Sequence, residues 1–310
     1  MEKEGKIFVS GHRGMVGSTI IRTLQENGYT NLLYIDHSRL DLRDQCAVEK
    51  FFAEHKPEYV FLIAAKVGGI KANISYPAEF IYDNLMIQSN VIHQSHLHQV
   101  KKLLFLGSSC IYPRLCKQPM KEEYLFDGKL EPTNEAYAMA KIAGVKMCQS
   151  YYRQYGSRFI SVIPPNLYGP GDNFDLKNSH VIPALMRKFH LAKITQAPEV
   201  VIWGTGAPRR EFLYTDDLAN ACLFMMERYD DNEIINIGAG KDLSILELAE
   251  LMAGVVGFQG SLVFDPDYPD GMPQKLLDVR RLEELGWRAS TPLSEGLAQT
   301  YSWFLNSHWV

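Results

Sequence analysis

Through the first half of the chain, short apolar runs alternate with longer stretches in which apolar residues recur every three or four positions. "KIFVS" (6–10) is a continuous apolar run and predicts a buried strand; "STIIRTLQENGY" after it has helical spacing and stops at Gly28. "NLLYID" predicts a second strand, "CAVEKFFAEH" a helix ended by Pro57, and "YVFLIAA" a third strand. Residues 79–99 predict a long helix, "KKLLFLGSS" a fourth strand, and "NEAYAMAKIAGVKMCQSYYRQYG" a second long helix stopped by Gly156. "FISVIPPNLYGP" predicts a fifth strand running into a Pro-Gly turn. This alternation implies an α/β fold built on a doubly wound parallel sheet of the Rossmann type. Right-handed crossovers bring its strand ends to one edge, where such sheets hold ligands.

After about residue 170 the rhythm loosens. "HVIPALMRKFHLAK" predicts a short helix, "VVIWGTGAPRREFLYTDDLANACLFMMER" a strand, a turn and a helix, "EIINIG" a strand and "SILELAELMAGVVG" a helix. "LDVRRLEELGW" predicts a late short helix. The expected organisation is a dinucleotide-binding domain over 1–170 and a smaller mixed α/β substrate lobe over 171–310, interleaved with returns to the main sheet. No repeat or low-complexity linker interrupts it.

Composition narrows the classes. The chain has 310 residues and a formal net charge of -4, which argues against a broad basic surface for nucleic acid but leaves room for a local anion pocket. No apolar run approaches the roughly 18 residues of a membrane span. "MEKEGKIFVSG" passes directly from charge into a strand pattern, so no signal peptide is expected. The five cysteines, Cys46, Cys110, Cys116, Cys148 and Cys222, are an odd, unclustered set, as in a reduced, cytoplasmic chain. Cys116 follows Cys110 closely, and His93, His96 and His98 sit together, but no second ligand pair or carboxylate accompanies either group. No metal is expected.

"VSGHRGMVGSTI" places Gly11, His12, Arg13, Gly14, Met15, Val16 and Gly17 between the first strand and first helix. Glycines at this spacing allow a tight turn, close approach of a pyrophosphate and close strand–helix packing, so the segment predicts a dinucleotide site. Arg13 could grip a 2′-phosphate with its fork, whereas Asp36 at the end of the second strand suits a free ribose hydroxyl. With His37 and Arg39 adding positive charge, the balance favours NADP.

"NEAYAMAKIAG" puts Tyr137 and Lys141 four residues apart on one helix face. An ammonium beside a phenol is expected to bring its pKa down from about 10 towards working range. Ser108 or Ser109, ending the fourth strand, can donate to a carbonyl oxygen beside Tyr137. Gly11-x-x-Gly14-x-x-Gly17, a strand-end serine and Tyr137-x-x-x-Lys141, in that order, resemble the extended short-chain dehydrogenase/reductase family. The resemblance implies a Ser–Tyr–Lys centre with Tyr137 as proton donor, Lys141 as its partner and Ser108 as the serine, Ser109 being the near alternative.

Longer stretches, "GHRGMVGS", "AAKVGGI", "LLFLGSSCIYP", "EPTNEAYAMAKIAG", "NLYGPGDNF", "NSHVIPAL", "WGTGAPRREFLYTDD" and "PDGMPQKLLDV", are similar to the branch of that family that epimerises and reduces GDP-linked 4-keto-6-deoxy sugars with NADPH. This likeness implies inversion at C3 and C5, with Cys110 and His180 as the acid–base pair, and then hydride transfer to C4. It extends the cofactor contacts to Leu106, Gly107, Ser108, Ser109, Lys141, Pro164, Pro165, Asn166, Leu167 and His180. It also assigns Lys188, Trp203, Arg210 and Asp270 to the GDP-sugar; the residues alone leave Arg209 and Arg210 equal.

The chemistry is sensible, since inverting a carbon needs one group on each face of the sugar, and a thiol and an imidazole both titrate near working pH. Lys141 or a charged imidazole is the expected neighbour that lowers the Cys110 pKa. His180, after Asn178 and Ser179 at a predicted helix start, meets a helix dipole that disfavours imidazolium, so something else has to keep it protonated. Ala136 and Pro165 depart from the family's pattern, where proline and threonine are expected. The resemblance further implies a homodimer through the helices at 79–99 and 135–155. Competing readings are a GDP-dideoxysugar 5-epimerase/4-reductase of colitose type, an NAD-dependent nucleotide-sugar 4-epimerase or dehydratase, and a non-enzymatic dinucleotide sensor.

Overall fold

Four strands that are apolar on both faces carry the framework: β1 (Ile7–Ser10), β3 (Tyr59–Leu62), β4 (Lys102–Leu106) and β5 (Phe159–Ile163) are buried at every position. Strands with no solvated face need cover on both sides, which a parallel sheet between two helix layers supplies. In the computed structural model, which describes residues 1–176, 179–268 and 270–309, they form a six-stranded parallel sheet in the order β2-β1-β3-β4-β5-β9. The edge strands are β2 (Leu32–Leu33) and β9 (Ile235–Asn236).

Alternation along β1 divides the core. Ile7 and Val9 face one cluster with Ile20 and Leu24 of α1 (Met15–Glu26) and Leu218 and Met225 of α7 (Thr215–Arg228). Phe8 faces the other, with Phe52 of α2 (Gln45–His55), Val91 of α4 (Pro77–Leu97) and Val145 of α5 (Glu135–Tyr155). Lys102 is the one charged residue in these strands. Its ammonium is buried against the last carbonyls of α7 at Met225 and Met226 and pairs with Asp230 at 2.9 Å, a cation at a helix C-terminus.

A third cluster lies among α6 (Val181–Ile194), α8 (Ile245–Val256) and α10 (Leu293–Leu305), against β6 (Asn166–Tyr168) and β8 (Arg209–Tyr214). Here β8 joins β10 (Asp242–Ser244), β12 (Gln274–Lys275) and β6, while β7 (Glu199–Trp203) pairs with β11 (Ser261–Asp265). Among the described residues no helix is long and apolar enough to cross a membrane.

Several expectations change. The fifth strand is two: Pro164 and Pro165, which lack N–H donors, separate β5 in the parallel sheet from β6, which pairs with β8. The second strand stops at Leu33, so Asp36 lies beyond it. The first helix begins at Met15 instead of Ser18. The pattern also left unread α3 (Ile70–Ser75) and α10, whereas the late helix shrinks to α9 (Arg280–Glu284). Asn178 lies outside the described residues.

Candidate active site

The glycine turn follows β1. Gly11 takes a left-handed φ of 76°, and its carbonyl accepts the Gly14 N–H at 3.0 Å. A Cβ on Gly17 would stand 2.1 Å from that carbonyl oxygen, so α1 packs this close only with glycine there. Gly14 caps α1 without a side-chain bond, leaving its first N–H groups for an anion. The turn therefore fits a dinucleotide pyrophosphate.

Arg13 does not oppose Asp36 as expected; it pairs with it. Its guanidinium meets Asp36 Oδ2 at 2.6 Å and His12 Nε2 meets Oδ1 at 3.1 Å. The acid that would select a free ribose hydroxyl is held between the Arg13 guanidinium and the His12 ring.

At the end of β4 the chain turns at Gly107, whose N–H donates to Val162 O on β5 at 2.8 Å. A Cβ at Gly107 would stand 2.5 Å from Ile163 Cδ1. Ser108 then caps a single 3-10 turn, its Oγ accepting the Cys110 N–H at 3.3 Å. Ser108 is half-buried, and its hydroxyl acts on the Tyr137 phenol, favouring the ionised form. Ser109 is buried, and its backbone N–H goes to Pro164 O at 2.9 Å, so of the two serines Ser108 faces the tyrosine.

Lys141 is buried on α5. Its ammonium donates to Leu106 O at 2.8 Å and lies 4.8 Å from the Phe105 ring centre but 5.9 Å from that of Tyr137. Burial pulls its pKa down to about 7 and pushes the Tyr137 phenol up, with Cys110 adding to the rise and Ser108 opposing it. The expected lowering of the phenol by the lysine is thus overturned: desolvation raises it, and Tyr137 rests protonated, the state a proton donor needs.

Cys110 meets neighbours other than those expected. Asn134 Nδ2 lies 3.2 Å and Lys275 Nζ 3.6 Å from its sulfur. Neither the Lys141 ammonium, which goes to Leu106, nor an imidazole takes that place. Lys275 comes from β12, 165 residues away, and no periodic signal marks it; Asn134 stands three residues before Tyr137 in "TNEAY".

His180 caps α6 and keeps an open surface; desolvation and the Lys275 charge both lower its pKa. The open surface tempers the first cause, so the Lys275 charge is the firmer one. Nothing among the described residues holds the imidazole protonated. Cys116 is half-buried with its thiol pushed up by desolvation, His93 bonds Tyr151 and His96 bonds Ser157. No metal-binding cluster occurs among the described residues.

The opposite wall comes from β7 and β8. Successive arginines on β8 separate by alternation: Arg209 is taken by Asp242 and Glu247, whereas Arg210 turns to the cleft, its guanidinium held by the carbonyls of Arg209 and Asp270. Desolvation lowers the Arg210 pKa, while the nearby Asp270, Cys110 and Glu131 act against the fall.

Trp203 stacks on Tyr268 with centroids 4.3 Å apart and planes 4° from parallel, and Lys188 Nζ lies 4.6 Å from the indole. Tyr268 was not singled out in the sequence. The Asp270 carboxylate accepts from Thr205 N and Oγ1, both at 2.8 Å, so it braces the 204–206 turn. Asn166 likewise donates to Glu211 O at 3.1 Å, and Leu167 packs on the main core.

A Ser–Tyr–Lys centre at the strand edge behind a glycine turn defines a short-chain dehydrogenase/reductase. Residues 7–238 match the model of the NAD dependent epimerase/dehydratase family, and the chain belongs to it. It is 58% identical over 306 residues to GDP-L-fucose synthase 1 of Arabidopsis thaliana, covering 99% of this chain and 95% of that protein. It is 55% identical over 311 residues to GDP-L-fucose synthase of Escherichia coli strain K12, covering 97% of each. Among solved structures it is similar to the NADP-bound GDP-mannoheptose C4 reductase of Campylobacter jejuni: TM-score 0.91, 43% identity, 98% of this chain and 99% of that one.

Proposed function

We propose that the protein converts GDP-4-keto-6-deoxy-D-mannose into GDP-L-fucose by inverting C3 and C5 and then reducing the C4 ketone with NADPH. The observation that carries this is the Cys110 sulfur set beside the Ser108–Tyr137 pair and facing an ammonium. A plain ketoreductase has no use for a thiol there. The full-length likeness to GDP-L-fucose synthases supports the same reading.

The residues divide the work. Gly11 to Gly17 and the start of α1 hold the pyrophosphate of NADP, and Lys141 reaches the nicotinamide ribose. When bound, the reduced cofactor supplies the hydride that C4 receives. Tyr137, kept protonated as its raised pKa requires, and Ser108 hold the C4 oxygen. They stabilise the enolate while carbon protons move, and Tyr137 gives its proton when the ketone is reduced.

Cys110 and His180 exchange protons with C3 and C5 from opposite faces. Arg210 holds the diphosphate, and Trp203 with Lys188 lines the nucleotide. The five free cysteines fit work in the cytoplasm. Exposed Tyr82 and Leu97 on α4 and Met139 and Tyr155 on α5 support a homodimer through these helices.

The test is incubation with GDP-4-keto-6-deoxy-D-mannose and NADPH in heavy water. The wild type oxidises NADPH and takes deuterium at C3 and C5, and Cys110→Ser loses that label while still binding NADPH. Normal labelling by the variant reduces Cys110 to packing, and absence of NADPH oxidation by the wild type refutes the function.

A further inference from the structure

In the starting sugar the hydrogens on C3 and C5 are both axial and lie on the same face of the ring. One group therefore takes both protons and the other returns both. Each inversion leaves the pair reversed: the taker carries a proton and the giver has lost one. A second inversion of the same bound sugar requires that the taker lose its proton and the giver regain one, and neither Cys110 nor His180 does this alone.

Lys275 is the proton-bearing side chain that stands against Cys110. Its ammonium is 3.6 Å from Cys110 Sγ and half-buried, and among the described residues it is the charge that bears on His180. Its place is fixed. β12 runs parallel to β8 with Lys275 opposite Arg210, and past the strand end the Leu276 N–H donates to Gln118 Oε1 at 2.9 Å and the Leu277 N–H to the buried Glu211 carboxylate at 2.8 Å. The two cations that stand opposite one another differ in kind. Arg210 is tied to two backbone carbonyls and cannot release a proton, whereas a lysine amine can give one and take another.

We propose that Lys275 relays the proton between Cys110 and His180 that re-arms the pair between the two inversions. The Lys275 ammonium gives one proton to the His180 ring nitrogen and its amine takes one from the Cys110 thiol. Thiolate and imidazolium are restored, the lysine ends as it began, and no bond to carbon changes. If His180 is the group that takes the carbon protons, the same relay runs in reverse.

This inference rests on the epimerising role proposed above, and its test separates the two. Wild type, Lys275→Arg and Lys275→Gln are incubated with GDP-4-keto-6-deoxy-D-mannose in heavy water, and label at C3 and C5 is followed separately by NMR. In Lys275→Arg the charge remains but the relay is gone. The first carbon should label at a rate within about 3-fold of wild type and the second at least about 10-fold more slowly, so that a singly inverted sugar accumulates. Lys275→Gln should slow both carbons and widen the same ratio. A fold defect lowers both labels together and leaves the ratio alone. An unchanged ratio in both variants overturns the relay, with solvent returning the proton or Lys275 acting through charge or packing. A wild type that labels neither carbon overturns the epimerase reading itself.

Discussion

Replacing Lys141 by methionine should make the protein more stable and catalytically dead. The amine is buried, and its pKa falls from 10.5 to about 7 because the fold desolvates it. Holding the charged form in the fold at pH 6 therefore costs roughly 5 kcal/mol. Methionine fills a similar volume without charge but abandons the hydrogen bond to Leu106 O, which returns about 2 kcal/mol of that gain.

The net is about 3 kcal/mol in favour of Lys141→Met at pH 6. The sign follows from the protons bound. Between about 7 and 10.5 the unfolded chain keeps a proton that the fold has released, so wild-type stability rises with pH across that window. The variant's advantage should shrink by about 1.4 kcal/mol per pH unit above 7 and nearly vanish by about pH 9. Urea unfolding of both proteins at several pH values, without nucleotide, measures it. A variant that is less stable at pH 6, or an advantage that does not change with pH, refutes the reasoning.

Two further predictions concern the dinucleotide turn. Gly17→Val places a Cβ 2.1 Å from the Gly11 carbonyl oxygen, so fluorescence titration should show NADPH affinity down at least about 100-fold, with a lowered melting temperature. Retained affinity would mean that the turn does not hold the cofactor. Arg13→Ala strips the guanidinium from Asp36 and leaves its carboxylate facing a 2′-phosphate. NADPH should bind about 10-fold more weakly while NADH changes little, and equal losses for both would contradict the role given to Arg13.

Helices α4 and α5 were legible because long amphipathic stretches repeat their period for several turns, and Gly156 marks the end of α5. The strands were legible because each is apolar throughout. The split of β5 from β6 was signalled by Pro164–Pro165, but the apolar residues on either side read as one run. In the site, what lay within one motif was readable: Gly11 to Gly17, Ser108 to Cys110, Tyr137 with Lys141. What depended on two-residue strands and side-chain direction was not. Lys275 meets Cys110 only because β12 pairs with β8, and Arg209 parts from Arg210 only through strand alternation. The direction of the Tyr137 shift was misread because spacing reveals a neighbouring charge but not the loss of water around it.

The alternation along β8 also sets a limit on how this gene can vary in length. Arg209 points to a surface ion pair, Arg210 to the cleft, and Glu211 to a fully buried position where backbone N–H groups of Leu277 and Gly240 meet its carboxylate. Loss or gain of one residue between 204 and 209 would slide the strand by one position against β6, β10 and β12 together. Loss of a residue would put the Glu211 carboxylate where Arg210 stands, and gain of one would bury the Arg210 guanidinium among the N–H donors that Glu211 now satisfies. Insertions that surface loops accept freely are barred from this short approach, and among homologous chains the spacing from the Gly204 turn to Glu211 should be invariant even where the residues between are not.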